Sequence, residues 1–490
     1  PLYGHNTGPG LAENPRVVVA PDGSETVVPP NDPRYHNNAA CVGSGTFVYG
    51  GLAWRFHPDD FRMASRYGVP EGSSLADWPF GYDEMEPWYR RAEWGIGVAG
   101  DARGSTPERG DYRYPMPPFP ERAFAGLLRE GAKRLGAETF APPLLINSAP
   151  RNGRGACISC GSCVGFPCPA NAKNGTQNTA IPRALATGHA TLVTGAMVRR
   201  VETDGAGRVV GVSAVLPGDS TPRTVRAKAV VLSAGAIETA RLLLNSASEK
   251  EPQGLGNRHD QVGRHLQGHL YPTVFGLFDA DVHDGRGPGV TIATTAYVHG
   301  NPGIVGGAML ADDFVMPPVI FWRQALPPDL PRWGAPAHDF MRRNFRRVGQ
   351  VKGPVHEIPT PESRVTLAAG TRDAWGIPVA RLSGQVHEET MKSVAFVTAR
   401  ADEWLRASGA ERTWHTPIAR RLSAGQHQSG TCRMGADPAT SVTDPHGRVW
   451  GHDNLYVCDA SVHPNNSGFN PVLTILALSI RNANALLNGL

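Results

Sequence analysis

The run Ala229-Val-Val-Leu-Ser-Ala-Gly235 restricts the fold of this chain more than any other segment. It is apolar almost throughout, ends in glycine, and passes directly into the helical spacing of Ile237 to Asn245. A strand without polar alternation is read as buried on both faces, and a glycine followed at once by a helix is the join that a parallel α/β sheet produces. Leu455 to Cys458 gives a second strand near the C-terminus. Asn470-Pro471 then opens another apolar helix, with proline in the first turn where its missing N–H costs nothing.

Other segments favour antiparallel structure. Arg16-Val-Val-Val-Ala20 and Glu25-Thr-Val-Val28 flank Pro21-Asp-Gly23, and Leu192 to Val215 reads as two strands joined by Asp204-Gly-Ala-Gly207. Both are hairpin signatures. Arg364 to Leu367 and Pro378 to Leu382 alternate as antiparallel strands do, whereas Tyr82, Met85, Trp88, Tyr89 and Ala92 keep helical spacing. The expected fold class is α/β plus antiparallel β: a nucleotide-binding part of Rossmann type interleaved with a part built on an antiparallel sheet. The 57 glycines and 43 prolines among 490 residues fit many turns and exclude a helical bundle.

Charge narrows the function classes. Lys plus Arg exceed Asp plus Glu by 48 to 44, a net charge of +4, and no basic run reaches the density of a phosphate-binding surface, so no nucleic-acid partner is expected. No apolar stretch is long enough to span a bilayer and no secretory signal opens the chain, so the expectation is a soluble enzyme of cytoplasmic type without membrane insertion.

The chemistry concentrates in the last seventy residues: His427-Gln-Ser-Gly-Thr-Cys432-Arg-Met-Gly435, Asp459-Ala460-Ser461, and Gly468-Phe-Asn470-Pro471. Oxidising an alcohol needs a base for the hydroxyl proton and an acceptor for the hydride. A histidine in a glycine-flanked turn can be that base if it is neutral at rest, and an asparagine fixed before a proline can hold the same oxygen. The catalytic candidates are therefore His427 and Asn470.

These residues carry a family resemblance. Ser233-Ala-Gly-Ala-Ile-Glu-Thr-Ala-Arg-Leu-Leu-Leu244 and the block from His427 to Asn484 resemble the glucose-methanol-choline (GMC) oxidoreductases. Gly43-Ser-Gly-Thr-Phe-Val-Tyr-Gly-Gly51, Asp77-Trp-Pro79, and Pro359 to Leu367 followed by Asp373-Ala-Trp-Gly-Ile-Pro378 resemble the branch holding pyranose oxidases, glycoside 3-oxidases and bacterial sugar dehydrogenases. The resemblance implies FAD, oxidation of a secondary alcohol on a sugar or glycoside to a ketone, and re-oxidation by oxygen or a quinone-type acceptor. It assigns cofactor contacts to Gly43, Ser44, Gly45, Thr46, Val198, Ala234, Gly235, Asp459, Ala460, Asn470, Pro471 and Thr474. It also suggests a discontinuous FAD-binding domain over 1–60, 170–260 and 420–490, with a substrate domain over 61–169 and 261–419. Val48 stands before Tyr49 where some pyranose oxidases carry a flavin-linked histidine, so the FAD is expected to be non-covalent.

Relatives open with a strand, a G-x-G-x-x-G turn and a helix against the FAD pyrophosphate. No such turn follows a strand and precedes a helix here, and the chain begins at Pro1; the expectation is that this sequence starts downstream of that unit.

Cys157-Ile-Ser-Cys160-Gly-Ser-Cys163-Val-Gly-Phe-Pro-Cys168-Pro169 departs by one residue from the bacterial ferredoxin spacing. Reduced thiols, a zinc site, disulfides and an iron–sulfur cluster all stay open. A cluster would make the chain the large subunit of a periplasmic dehydrogenase with an electron-accepting partner protein. A flavin-less binding protein is the rival from another class. Arg55, Trp78, Trp322, His356, Glu357 and Trp375 are candidate sugar contacts, by polarity and aromaticity alone.

Overall fold

The computed structural model describes residues 10–30, 32, 39–102, 111–423 and 425–489. It combines a short parallel ladder with one mixed sheet and several antiparallel ones. Val230–Leu232 pairs in parallel with Leu455–Val457, and the helix Gly235–Asn245 leaves the first strand after a turn in which Gly235 has φ +81. This is the expected strand-to-helix join. One detail differs: Val231 is 45% exposed, while Val230 and Leu232 point inward, so this strand is covered on one face within the described residues.

The hairpin Arg16–Val19/Glu25–Val28 forms as expected and is extended into a four-stranded sheet, because Arg16–Val19 also runs parallel to Pro378–Ser383, which pairs with Arg364–Arg372. Met197–Thr203, Val209–Val215 and Arg223–Arg226 make a three-stranded antiparallel sheet. The largest antiparallel sheet orders Arg412–His415, Thr273–Leu277, Val348–Lys352, Leu310–Ala311 and Ala293–Thr294. The twenty-residue helix Glu388–Ala407 packs on it through Val394, Val397, Ala401, Trp404 and Leu405, opposite Val274 and Val351.

One extended core joins these parts. The C-terminal helix Val472–Gly489 buries Leu473, Ala477 and Leu478 in the same cluster as Met85, Tyr89 and Ala92 of the helix Tyr82–Ala92 and Leu455 and Val457 of the parallel ladder. The segment 463–470, which precedes that helix, is therefore held from both ends inside packed structure. No helix among the described residues is long and apolar enough to cross a membrane.

Candidate active site

His427 sits on the short strand Gln426–Ser429, antiparallel to Gln267–His269, with a register shift between the Gln426 and Ser429 pairs. Its backbone is left-handed at φ +63. A non-glycine residue there is strained, and a bulge is a device for re-aiming one side chain out of a ladder. Gly268 makes room for it: a Cβ on Gly268 would lie 2.8 Å from the Gly425 nitrogen and 2.9 Å from the Gln426 oxygen. The bulge thus needs a bare glycine opposite it.

The redirected imidazole meets His269 and lies beside Tyr271. His427 Nδ1 lies 2.8 Å from His269 Nδ1, and His269 Nε2 lies 2.6 Å from the Ser467 carbonyl oxygen. The Tyr271 ring centroid is 6.0 Å from that of His427, and Asn470 Nδ2 donates to Tyr271 Oη at 2.8 Å. Asn466 Nδ2 donates to the His427 carbonyl at 3.0 Å and so ties the bulge to the 463–470 segment. The two residues singled out from sequence are thereby brought into one cluster, bridged by Tyr271. Asn470 Oδ1 is buried without a partner among the described residues. A buried orphaned amide oxygen marks a place where a non-protein group belongs. Burial pushes the His427 imidazole down to about 4, so it is neutral at physiological pH.

Sequence reasoning missed His269 and Tyr271. The available signal was the alternation of Gln267, His269 and Tyr271 in the sequence; the structure puts the first two on one face of a strand and Tyr271 just beyond its end. Gln267 Oε1 accepts from the Asn466 backbone N–H at 2.7 Å. It missed Asp60 as well. This fully buried carboxylate accepts from Ser467 Oγ at 2.6 Å and from the His57 N–H at 2.6 Å, and contacts His356 Nε2 at 2.6 Å and His299 Nε2 at 3.0 Å. Burial alone would raise the Asp60 carboxyl; the two histidines outweigh it and hold the group well below the usual carboxylate range.

The residues assigned to FAD by resemblance fall into an enclosed set and an open set. Gly43 has φ +94 and a Cβ there would strike Gln177, so the turn into the short helical stretch Ser44–Phe47 requires glycine; sequence alone showed no helical pattern there. Ser44 and Gly45 are exposed and Thr46 is partly so. Val198 is 37% exposed, and Ala234 is exposed at the start of its helix. Asp459 is buried: Oδ2 accepts from Gly235 N at 2.9 Å and Thr239 Oγ1 at 2.6 Å, and Oδ1 from Ser461 N at 2.9 Å. Its carboxylate therefore caps the helix Gly235–Asn245 and starts the turn at Ala460, locking two segments together. Pro471 begins the C-terminal helix, its carbonyl accepting from Ile475 N at 2.9 Å, and buried Thr474 shares a 2.8 Å hydrogen bond with Tyr89 Oη.

The candidate sugar contacts mostly serve packing. Arg55 is buried in a two-pronged bond to Glu93, at 2.7 Å on each oxygen, and Trp78 is a core residue. Trp375 is on an exposed turn and Trp322 lies in a separate apolar cluster. Only His356 and Glu357 approach the site: Gly468 N donates to His356 Nε2 at 3.1 Å, and Glu357 is buried behind Gly268 with Ser423 Oγ donating to it. His446 is exposed, while His463 is buried beside Phe56 and Trp78. A cavity of about 340 Å³ is lined by Phe124, Phe275, Asp313, Phe314, Phe321 and Gln350, and none of the residues of the His427–Asn470 cluster lines it. Asp313 is ion-paired with Lys352, whose ammonium lies 5.7 Å from the Tyr271 ring centroid.

All seven cysteines are free, and Cys157, Cys160, Cys163 and Cys168 line one small cavity with Lys173. No three of these sulfurs come within 4.8 Å of one another. Four thiolates around one zinc would stand roughly 3.8 Å apart, given Zn–S bonds of about 2.3 Å, so a zinc site does not fit. Burial pushes the Cys163 thiol up to about 12 and the Lys173 ammonium down to about 8.

Comparison with known proteins identifies the family. Residues 73–271 match the N-terminal and residues 359–479 the C-terminal domain of the GMC oxidoreductases. Paromamine 6'-oxidase of Streptomyces fradiae is 31% identical over 98% of this chain and 84% of its own length. The fructose dehydrogenase large subunit of Gluconobacter japonicus is 28% identical over 98% of this chain and 87% of its own. Among solved structures, pyridoxine 4-oxidase from Mesorbium loti superposes with a TM-score of 0.62 at 17% identity, covering 97% of this chain and 89% of that one, which speaks to the fold alone.

Proposed function

This chain belongs to the GMC oxidoreductase family, and from that premise we propose that it oxidises a CH–OH group of a sugar or glycoside, a secondary alcohol to a ketone, with His427 as base and Asn470 as the group that holds the reacting oxygen. The observation that carries the reading is the cluster of His427, Tyr271 and Asn470, with a neutral imidazole and a buried amide oxygen that the protein leaves unpaired. FAD, which the segments around Gly43–Thr46 and Asn470–Thr474 would hold non-covalently, would supply the acceptor for the hydride.

The chain's own residues do the rest. His427 takes the hydroxyl proton, which its depressed proton affinity permits at any pH above about 4. Asn470 can turn its amide by half a rotation; Tyr271 Oη then donates to Oδ1, the orphaned oxygen is satisfied, and Nδ2 faces the substrate oxygen as a donor. The packed helix Val472–Gly489 fixes that amide from behind, so alignment is set before substrate arrives.

Anaerobic addition of free sugars, O-glycosides and C-glycosides to the FAD-loaded protein tests the reading. Bleaching of the flavin by one of them, with a ketone as product, is the expected result. An aldehyde product would move the oxidation to a primary alcohol, and a protein that binds no FAD would favour the binding-protein rival. A second reading adds an electron relay through an iron–sulfur cluster to a partner protein; its support is the single cavity shared by Cys157, Cys160, Cys163 and Cys168. Bound iron and sulfide in the purified protein would favour it, and a purely yellow protein would remove it.

A further inference from the structure

The hydrogen bonds behind His427 admit one proton arrangement when both rings are neutral. The Ser467 carbonyl oxygen can only accept, so His269 Nε2, 2.6 Å away, must carry the hydrogen. A neutral imidazole has one N–H, and His269 Nδ1 is left with a lone pair. That lone pair faces His427 Nδ1 at 2.8 Å, so His427 Nδ1 donates. The remaining lone pair of His427 is then on Nε2, which has no hydrogen-bond partner among the described residues. Neutrality of both rings is imposed by their surroundings. His269 is pushed far below its ordinary value, by burial first and by His427 next.

We propose that His269 is a positioning residue for alcohol oxidation, fixing His427 as the Nδ1–H tautomer so that its Nε2 lone pair meets the substrate hydroxyl. This rests on the reading of His427 as base. The anchor continues inward: the Ser467 carbonyl holds His269, and the Ser467 hydroxyl donates to buried Asp60, which also contacts His356 and His299. In the reaction the hydroxyl proton forms a bond to Nε2 as the O–H bond breaks, and the carbon's hydride leaves to the flavin. The Nδ1–H stays on His427, and its bond to His269 becomes charge-assisted and stronger.

The choice of a neutral partner has a reason. A carboxylate at the place of His269 would orient His427 equally well, but an adjacent negative charge favours the imidazolium and would leave the base already protonated. Another imidazole orients without charging. The other ionisable groups that face this pair are Tyr271, His356 and His463, with Asp60 beyond Ser467, Glu357 behind Gly268, and the Lys352–Asp313 pair beyond Tyr271.

The test is the ring-nitrogen spectrum of the full-length, ¹⁵N-histidine-labelled protein at neutral pH, with the His427 signals assigned by their loss in His427→Ala. The expected result is Nδ1 protonated and Nε2 bare in the wild type. His269→Gln, which can accept through Oε1 and donate through Nε2, should keep that pattern and most of the rate of anaerobic flavin reduction. His269→Phe should lose the pattern and slow flavin reduction at least about tenfold with little change in KM, as loss of an orienting group does elsewhere. A wild-type spectrum with His427 protonated on Nε2 overturns the proposal without any variant, and so does a wild-type rate in His269→Phe. If His427→Ala itself reduces flavin at the wild-type rate, it is the underlying reading of the base that fails.

Discussion

Two histidine-containing clusters lie on either side of Ser467, and they are built on opposite electrical principles. On one side His427 faces His269, and both rings are held neutral by burial. On the other, His356 and His299 face Asp60, a carboxylate kept ionised despite complete burial. The same side chain therefore serves two purposes within one core. Beside a carboxylate it contacts a buried charge and ties segments together; beside another imidazole it keeps a free lone pair. The difference lies in the partner and not in the depth of burial, since both clusters are enclosed.

The contrast breaks most severely at His427. His427→Ala should lower the rate of anaerobic flavin reduction by about 10²–10⁴-fold, the usual weight of a positioned base, while FAD stays bound. Asp60→Asn attacks the other cluster and should cost stability instead, on the order of 1–3 kcal/mol, because a buried amide cannot accept every bond that the carboxylate oxygens now take from Ser467 Oγ and the His57 N–H. Urea unfolding of that variant measures it; an unchanged midpoint would mean that the Asp60 carboxylate does not hold these segments together.

Glu357 sharpens the comparison, because it is a buried carboxyl without a facing histidine. Burial pushes it up to about 8. The folded protein then binds a proton that the unfolded chain has released above its ordinary 4.5, so stability should fall as pH rises between those values. Glu357→Gln should flatten that fall, read as melting temperature against pH; an unchanged slope would show that Glu357 is not its source. The smallest effect is the acid limb of the reaction. Flavin reduction in the wild type should be level down to about pH 4 and then drop about tenfold per further pH unit as His427 takes its proton. A limb near the ordinary histidine value of 6.5 would place His427 in a wetter setting than the one described.

What could be read from sequence was what local pattern encodes. The hairpin at Arg16–Val28, the helix from Tyr82 and the strand-to-helix join at Val230–Asn245 all have their periodicity and turn residues in one stretch. The two-residue strands Ala293–Thr294 and Leu310–Ala311 do not, because pairing with distant strands defines them. At the site the same division holds. His427 and Asn470 stand in distinctive flanking sequence, whereas His269 and Tyr271 look like ordinary polar residues of an alternating strand until the bulge at His427 swings an imidazole onto them. Asp60 is some three hundred residues from His356, and only the folded core makes them partners. The cysteine spacing was visible at once, but spacing does not reveal how the four side chains stand in the folded chain, where they line one small cavity with Lys173.

The most direct test of the central claim is a crystal structure of the FAD-loaded protein with a slowly reacting sugar alcohol bound. One substrate hydroxyl is expected within hydrogen-bonding distance of both His427 Nε2 and the Asn470 amide, with His427 Nδ1 still turned to His269. A hydroxyl bound to neither residue, or a His427 ring rotated away from His269 in the complex, would contradict it.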